Sequence, residues 1–227
     1  MKKTILLTGA SGFLGGNFCH FYRDKYNIIA VYNQNPVEFE GVKSIQLDLN
    51  YSNEIEEILK EQKFDFVLHL AASSDPNFCE LNSEVSYKNN VKATENLSHI
   101  CAARKIPLLF ASTDLVFDGR NPPYKEEDLP KPVNLYGRQK AEAEEIILNA
   151  NPEQNIVARL PLMYGNSYAS GKNFIQPILQ KLKNNEPAFL FSDEYRTVAS
   201  ARSVCEAFVI LMNEKANGIY HLGGDES

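Results

Sequence analysis

Tryptophan is absent from the chain, and cysteine and histidine occur only four times each in 227 residues. Cys19, Cys79, Cys101 and Cys205 show no C-x-x-C spacing. That argues against a zinc ribbon or a dithiol redox centre, and the expectation is four reduced, buried thiols of a cytoplasmic protein. His20, His69, His99 and His221 form no H-x-x-x-H or Cys/His cluster, so no metal site is expected. His69 lies in the apolar run 66–72, where core packing is its expected role. Positive charge is also scarce: 23 Lys and Arg against 29 Asp and Glu leave a net charge of -6. No basic stripe is present to release counterions from nucleic acid. No apolar run approaches the length of a membrane span, and Lys2-Lys3 precede too brief an apolar stretch for a secretory leader. Repeats and low-complexity tracts are missing too. Neither nucleic acid nor a membrane is therefore expected as a partner.

What is present has the proportions of an ordinary globular chain, 44% apolar and 23% charged, sufficient for one substantial core. Short apolar segments at 4–8, 28–32, 44–47, 66–70, 108–112 and 156–159 read as strands. Longer amphipathic segments at 13–25, 54–62, 84–104 and 136–149 read as helices between them. This alternation predicts an α/β fold with a doubly wound parallel sheet, in which ligands sit beyond the carboxyl ends of the strands. Gly9, Asp48, Ala71 and Thr113 all fall at such ends and are expected to line one crevice. The polar, proline-rich stretch 121–132 reads as a surface connector. Beyond Tyr164 the pattern loosens to helices at 174–184 and 203–213, a strand at 189–191 and a last strand at 218–222.

The first strand runs directly into Gly9-Ala10-Ser11-Gly12-Phe13-Leu14-Gly15. A strand end, a glycine turn and a helix start together bring bare backbone and unpaired N–H groups to a pyrophosphate, which suits a dinucleotide. Tyr136 and Lys140 stand four apart on one helix face. An ammonium beside a phenol favours the phenolate, so the spacing predicts a Tyr136 lowered in pKa toward the range useful for proton transfer. Ser112 and Thr113, at the end of the fifth strand, add hydroxyls, with Thr113 placed to hydrogen-bond a substrate oxygen. At the end of the second strand, Asn33 and Gln34 stand where an acid would select NAD and an arginine NADP. The missing acid favours NADP(H) over NAD(H), with these amides as candidate phosphate donors.

The T-G-x-x-G-x-x-G spacing, the Ser112-Thr113 pair and Tyr136-x-x-x-Lys140 together resemble the short-chain dehydrogenase/reductase superfamily. The segments 112–119 and 132–140 resemble its extended members that reduce nucleotide-linked 4-keto sugars, the dTDP-4-dehydrorhamnose reductase group. The stretch 116–136 is also similar to the regulatory β subunit of methionine adenosyltransferase. This resemblance implies a Rossmann-type dinucleotide domain over 1–163 and a small, incomplete substrate-binding region over 164–227, whose final strand returns to the core. Chains of this kind normally continue past such a Gly-Ile-Tyr-His-Leu-Gly-Gly segment, so an open substrate site is expected.

Carried over residue by residue, the resemblance implies catalytic Thr113, Tyr136 and Lys140. Cofactor contacts would come from Gly9, Ser11, Gly12, Phe13, Leu14, Gly15, Asn33, Asp48, Leu49, Leu70, Ala71 and Ala72, with Tyr136 and Lys140 shared. Substrate contacts would come from Ser112, Asp114 and Arg196, the last meeting a diphosphate. Asn90 matches an asparagine behind the site in the resembled family, and it reads equally as a helix-surface amide. The family pattern is departed from at Leu115, Val198 and Ser203, where a tyrosine, a proline and an acidic residue are usual. The implied function is NAD(P)-dependent reduction or epimerisation of a nucleotide-linked sugar, with a homodimer as the candidate assembly. The alternatives are a cofactor-bound interaction subunit without turnover and a dinucleotide-binding fragment.

Overall fold

Ile5, Leu6 and Leu7 are all fully buried, which marks a strand covered on both faces. The computed structural model describes residues 2–171, 173–190 and 192–224. In it β1 (Thr4–Thr8) pairs in parallel with β2 (Asn27–Tyr32) on one side and β4 (Phe66–His69) on the other. β3 (Lys43–Gln46), β5 (Leu108–Thr113), β6 (Ile156–Leu160) and β9 (Gly218–His221) complete an all-parallel sheet in the order β3-β2-β1-β4-β5-β6-β9. Ile5 and Leu7 face the layer holding α1 (Phe13–Tyr22) and α8 (Ala201–Glu214), against Phe18, Val204 and Phe208. Leu6 faces the other layer, with α2 (Ser52–Glu61), α5 (Ala93–Ala103) and α6 (Leu135–Ala150), against Ile55, Leu97 and Ile147. The expected doubly wound α/β sheet is therefore present, and its direction of winding reverses between β1 and β4, where such sheets open a crevice.

Several expectations need correction. The helix expected over 13–25 stops at Tyr22, because Tyr26 turns back into the core. The single helix expected over 84–104 is three pieces: α4 (Ser83–Tyr87), a π-helical turn at Lys88–Lys92, and α5. Before it lies an unforeseen α3 (Pro76–Leu81), started by Asp75, whose carboxylate accepts the Asn77 and Phe78 N–H groups at 2.8 and 3.1 Å. Phe189 and Leu190 carry no strand, and Phe191 lies outside the described residues. Instead β7 (Leu162–Tyr164) and β8 (Val198–Ser200) form a second, two-stranded parallel sheet. α7 (Ile175–Lys183) buries no residue, whereas α8 packs in the same layer as α1. So most of the chain after β8 belongs to the main core. The proline-rich connector docks on that core: Lys131 N–H donates to Val116 O at 2.8 Å, and His221 N–H to Glu126 Oε1 at 3.0 Å.

All four cysteines are free and buried, and burial pushes the Cys19 and Cys101 thiols up to about 12. His69 is fully buried on β4. The Thr94 hydroxyl donates to Asn90 O at 2.7 Å, so it accepts from His69 Nε2 at 3.0 Å. His69 Nδ1 then accepts from the Thr8 hydroxyl at 2.7 Å, while Thr8 Oγ1 receives the Leu70 and Ala71 N–H groups. A second proton on the ring would set two donors face to face. Burial, and then the neighbouring Lys140 charge, push His69 down to about 3.

Unfolded, this histidine takes up a proton below about 6.5, whereas in the fold it stays neutral far below that. Its contribution to stability is therefore full above pH 6.5 and is lost progressively as pH falls toward 3. Urea unfolding at about pH 7 and about pH 5 should show the parent protein losing roughly 2 kcal/mol more than His69→Gln loses. Equal losses would exclude His69 as the group responsible.

Candidate active site

The turn after β1 determines how close the chain comes to itself. Gly9 has φ +72, and a Cβ there would lie 2.6 Å from Ala71 N. A Cβ on Gly15 would lie 2.2 Å from Gly9 O. Both glycines are required by the protein's own packing. Gly12 differs: its nearest neighbour to an added Cβ is Gly9 O at 3.2 Å, and the residue borders the crevice. As the N-cap of α1 it has no side chain to satisfy the first N–H groups. A strap at 167–171 crosses this turn, with Gly171 N–H and Ser170 Oγ both donating to Ser11 O, at 3.1 and 2.9 Å.

The crevice is about 960 Å³ and runs along the carboxyl ends of β2, β1, β4 and β5. Every residue expected at the site borders it: Gly9, Ser11, Gly12, Phe13, Leu14, Gly15, Asn33, Asp48, Leu49, Leu70, Ala71 and Ala72 toward one end, and Ser112, Thr113, Asp114, Tyr136, Lys140 and Arg196 toward the other. At the β2 end stand Tyr32, Asn33, Gln34 and Asn35, with Gln46 Nε2 donating to Asn33 O at 2.9 Å. The Asp48 carboxylate accepts both N–H and side-chain amide of Asn50 at 2.9 Å. Sequence reasoning missed Ser73 and Asn89, which also border the crevice and meet at 3.0 Å. Their proximity to Ala72 and Asn90 was the available signal.

Tyr136 is delivered by a close contact. A Cβ on Gly137 would lie 2.2 Å from Leu115 O, so α6 starts hard against the 3-10 turn Asp114–Val116 that follows Thr113. Asn134 Oδ1 caps this start, accepting Gly137 N–H at 2.7 Å. Lys140, 2% exposed, sets its ammonium 3.8 Å from the centroid of the Phe110 ring. The expected depression of Tyr136 is overturned. Burial, followed by the Cys79 and Asp114 charges, pushes its phenol up. Burial also drives Lys140 down to about 7, against the opposing pull of Glu144. Helical spacing sets both residues on the border of the crevice, but removal from water decides the direction of each shift and neither residue contributes to the other's.

The three expected substrate contacts are held by the protein itself. Ser112 Oγ donates in a short contact to Glu144 Oε1. Arg196 Nη2 donates to both oxygens of Asp114 at 3.1 and 2.9 Å, and its Nη1 to Glu194 at 3.2 Å. Asn90 is not a surface amide: it is 1% exposed, within the π-helical turn. Its amide donates to Ser73 O and Gln139 Oε1, and its oxygen accepts Ser73 N–H. Among the described residues no three His, Cys, Asp or Glu side chains are grouped to hold a metal ion.

A family model, RmlD substrate binding domain, matches residues 1–227. The chain is 31% identical over 232 residues to methionine adenosyltransferase 2 subunit beta of Xenopus tropicalis, covering 99% of this chain and 68% of the relative. It is similar in structure to a hypothetical dTDP-4-dehydrorhamnose reductase from Sulfolobus tokodaii, with 30% identity, a TM-score of 0.86, and 99% and 77% of the two chains covered. The protein MoeE5, solved in complex with UDP-glucuronic acid and NAD, is 25% identical with a TM-score of 0.86, over 97% and 76% of the two chains.

The glycine geometry separates two substitutions. Gly15→Ala should destabilise by about 1–3 kcal/mol or more, because backbone must move. Gly12→Ala should change stability by only about 0.5 kcal/mol. Thermal unfolding of both variants checks this, and equal destabilisation would show that Gly12 too is held by internal packing.

Proposed function

This chain belongs to the RmlD substrate binding domain family, and from that premise we propose that it is an NAD(P)-dependent reductase acting on a nucleotide-linked 4-keto sugar. The observation that carries this reading is one crevice bordered by the glycine turn and by Thr113, Tyr136 and Lys140. The cradle suits a dinucleotide in that Gly9 and Gly15 bring the backbone together and Gly12 borders the crevice without a side chain, with Gly171 of the strap packed against Phe13 N at the start of α1. Gly12, Phe13 and Leu14 would hold the pyrophosphate, Asp48 and Leu49 the adenine end, and Ala71 and Ala72 the nearer ribose. A bound nicotinamide would supply hydride at the Tyr136 end of the crevice.

The chain's own groups supply position and a proton. Tyr136 would serve as the acid that protonates the carbonyl oxygen during reduction; burial, which raises its phenol, keeps the proton on it at neutral pH and makes its release depend on a group that stabilises the phenolate. Thr113 Oγ1 accepts Leu115 N–H at 3.2 Å while its hydroxyl donates to Asp114 Oδ1 at 3.2 Å, so its proton would reach the same oxygen by turning away from Asp114. Lys140, as an ammonium, would stabilise the phenolate that remains. Arg196 would meet the substrate diphosphate by exchanging Asp114 for it, since a planar guanidinium pairs with either.

With neither acid nor base among Tyr32, Asn33, Gln34 and Asn35, NADP(H) should bind at least as well as NAD(H). The likeness to a methionine adenosyltransferase subunit supports a second reading, a dinucleotide-binding interaction subunit without turnover. The two readings part on a single measurement, reduction of a 4-keto nucleotide sugar by the isolated chain.

Two outcomes test the proposal. Tyr136→Phe should lower the reduction rate by about 10²–10⁴-fold while leaving cofactor affinity within about twofold. Full activity in that variant would remove Tyr136 as the acid. Gly12→Val should weaken NADPH and NADH binding by at least about tenfold in fluorescence titration, or about 1.4 kcal/mol. Unchanged affinity would remove the glycine turn as the pyrophosphate site.

A further inference from the structure

Four residues past Lys140, α6 carries a second buried ionisable group that does not border the crevice. Glu144 accepts from Arg159 Nε at 3.1 and 3.2 Å and from Arg159 Nη2 at 2.8 Å. It also accepts from Ser112 Oγ. Both side chains of the ion pair are 3% exposed. Arg159, on β6, is held in turn: Nη1 donates to Glu126 O at 3.3 Å and lies 3.3 Å from His221 Nε2, and the guanidinium stands 5.0 Å from the Phe117 ring centroid. A buried ion pair is weak evidence for stabilisation, since desolvation offsets most of the attraction. This pair therefore calls for an explanation beyond stability.

Its position supplies one. Glu144 lies one helical turn from Lys140 and grips Ser112, the residue before Thr113 on β5. Lys140 rests on Phe110 with no carboxylate within ion-pair distance among the described residues. Burial favours its neutral form, and Glu144 opposes that. The other titratable neighbour facing it is His69 on β4, which is neutral. Around Tyr136, on the same helix, stand Cys79 of α3 and Asp114 of the 3-10 turn.

We propose that Glu144 is a positioning residue for the reaction argued above: anchored by Arg159 and Ser112, its carboxylate stands one helical turn from Lys140 and fixes the end of β5 under Thr113. The inference rests on Lys140 serving that reaction as a cation. Arg159 acts on the carboxylate and not on the substrate, because the carboxylate occupies its Nε and Nη2.

The test reads Lys140 directly. The Nζ signals of ¹⁵N-lysine protein are titrated by NMR, and Lys140→Arg identifies the resonance by its loss. Glu144→Gln alone leaves Arg159 buried without its partner and is at risk of unfolding. Glu144→Gln/Arg159→Met removes both charges with similar volume and is the decisive variant, its folding checked by circular dichroism. Its Lys140 midpoint should fall by about one unit or more. Glu144→Asp, which keeps the charge, should restore at least half of that shift. Where turnover is followed, the alkaline limb of kcat should move down by the same amount with cofactor KM unchanged. An unchanged Lys140 midpoint in the folded double variant overturns the proposal, as does an equal shift in Glu144→Asp. Absence of turnover in the parent protein would sink the reductase reading alone, because the NMR titration needs no substrate.

Discussion

The contact on which this architecture depends is between two stretches of bare backbone. A side chain on Gly15 would collide with the Gly9 carbonyl, and one on Gly9 with the backbone at Ala71. These two absences let α1 begin directly on top of the β1 turn and let that turn press against the end of β4. The sheet reverses its winding between the same two strands, so close backbone packing and the opening of the crevice share one place. The crevice, the placement of the α1 N-terminus and the strap through Gly171 all follow from this approach. Moving α1 outward by the size of a methyl group would disturb each of them.

Removal from water governs the opposite end of the crevice. His69, Lys140, Glu144 and Arg159 are all almost fully buried, as is Tyr136. The structure handles them in three ways. His69 is neutral and hydrogen-bonded at both ring nitrogens, Glu144 and Arg159 neutralise each other, and Lys140 rests on an aromatic face with its proton held less tightly. Protonation at this end is therefore set first by burial and only then by neighbouring charges.

Much of this was legible in the sequence. The glycine spacing, the apolar strands and the Tyr136–Lys140 interval each depend on local geometry with a fixed period, and local geometry is what sequence reports best. What escaped it depends on distance along the chain or on length. β7 and β8 have three residues each, too few for a periodic pattern. The widened turn around Asn90 is invisible because its amide is bound by Ser73, seventeen residues away. Arg196 and Asp114 are separated by 82 residues, and nothing near either announces the other. The direction of the Tyr136 shift was misread for a different reason: spacing tells which groups meet but not how much water remains between them.

The pairing of Arg196 with Asp114 and Glu194 bears on how an anion finds this crevice. Of the cations bordering it among the described residues, Arg196 is neutralised by carboxylates and Lys140 is buried against Phe110, while the chain as a whole is negative. Little long-range field then draws a phosphate inward, and capture falls to backbone dipoles that act only at contact. Ionic strength, which tunes encounter rates where charge steers a ligand, here screens only the repulsion between an anion and a chain of net charge -6.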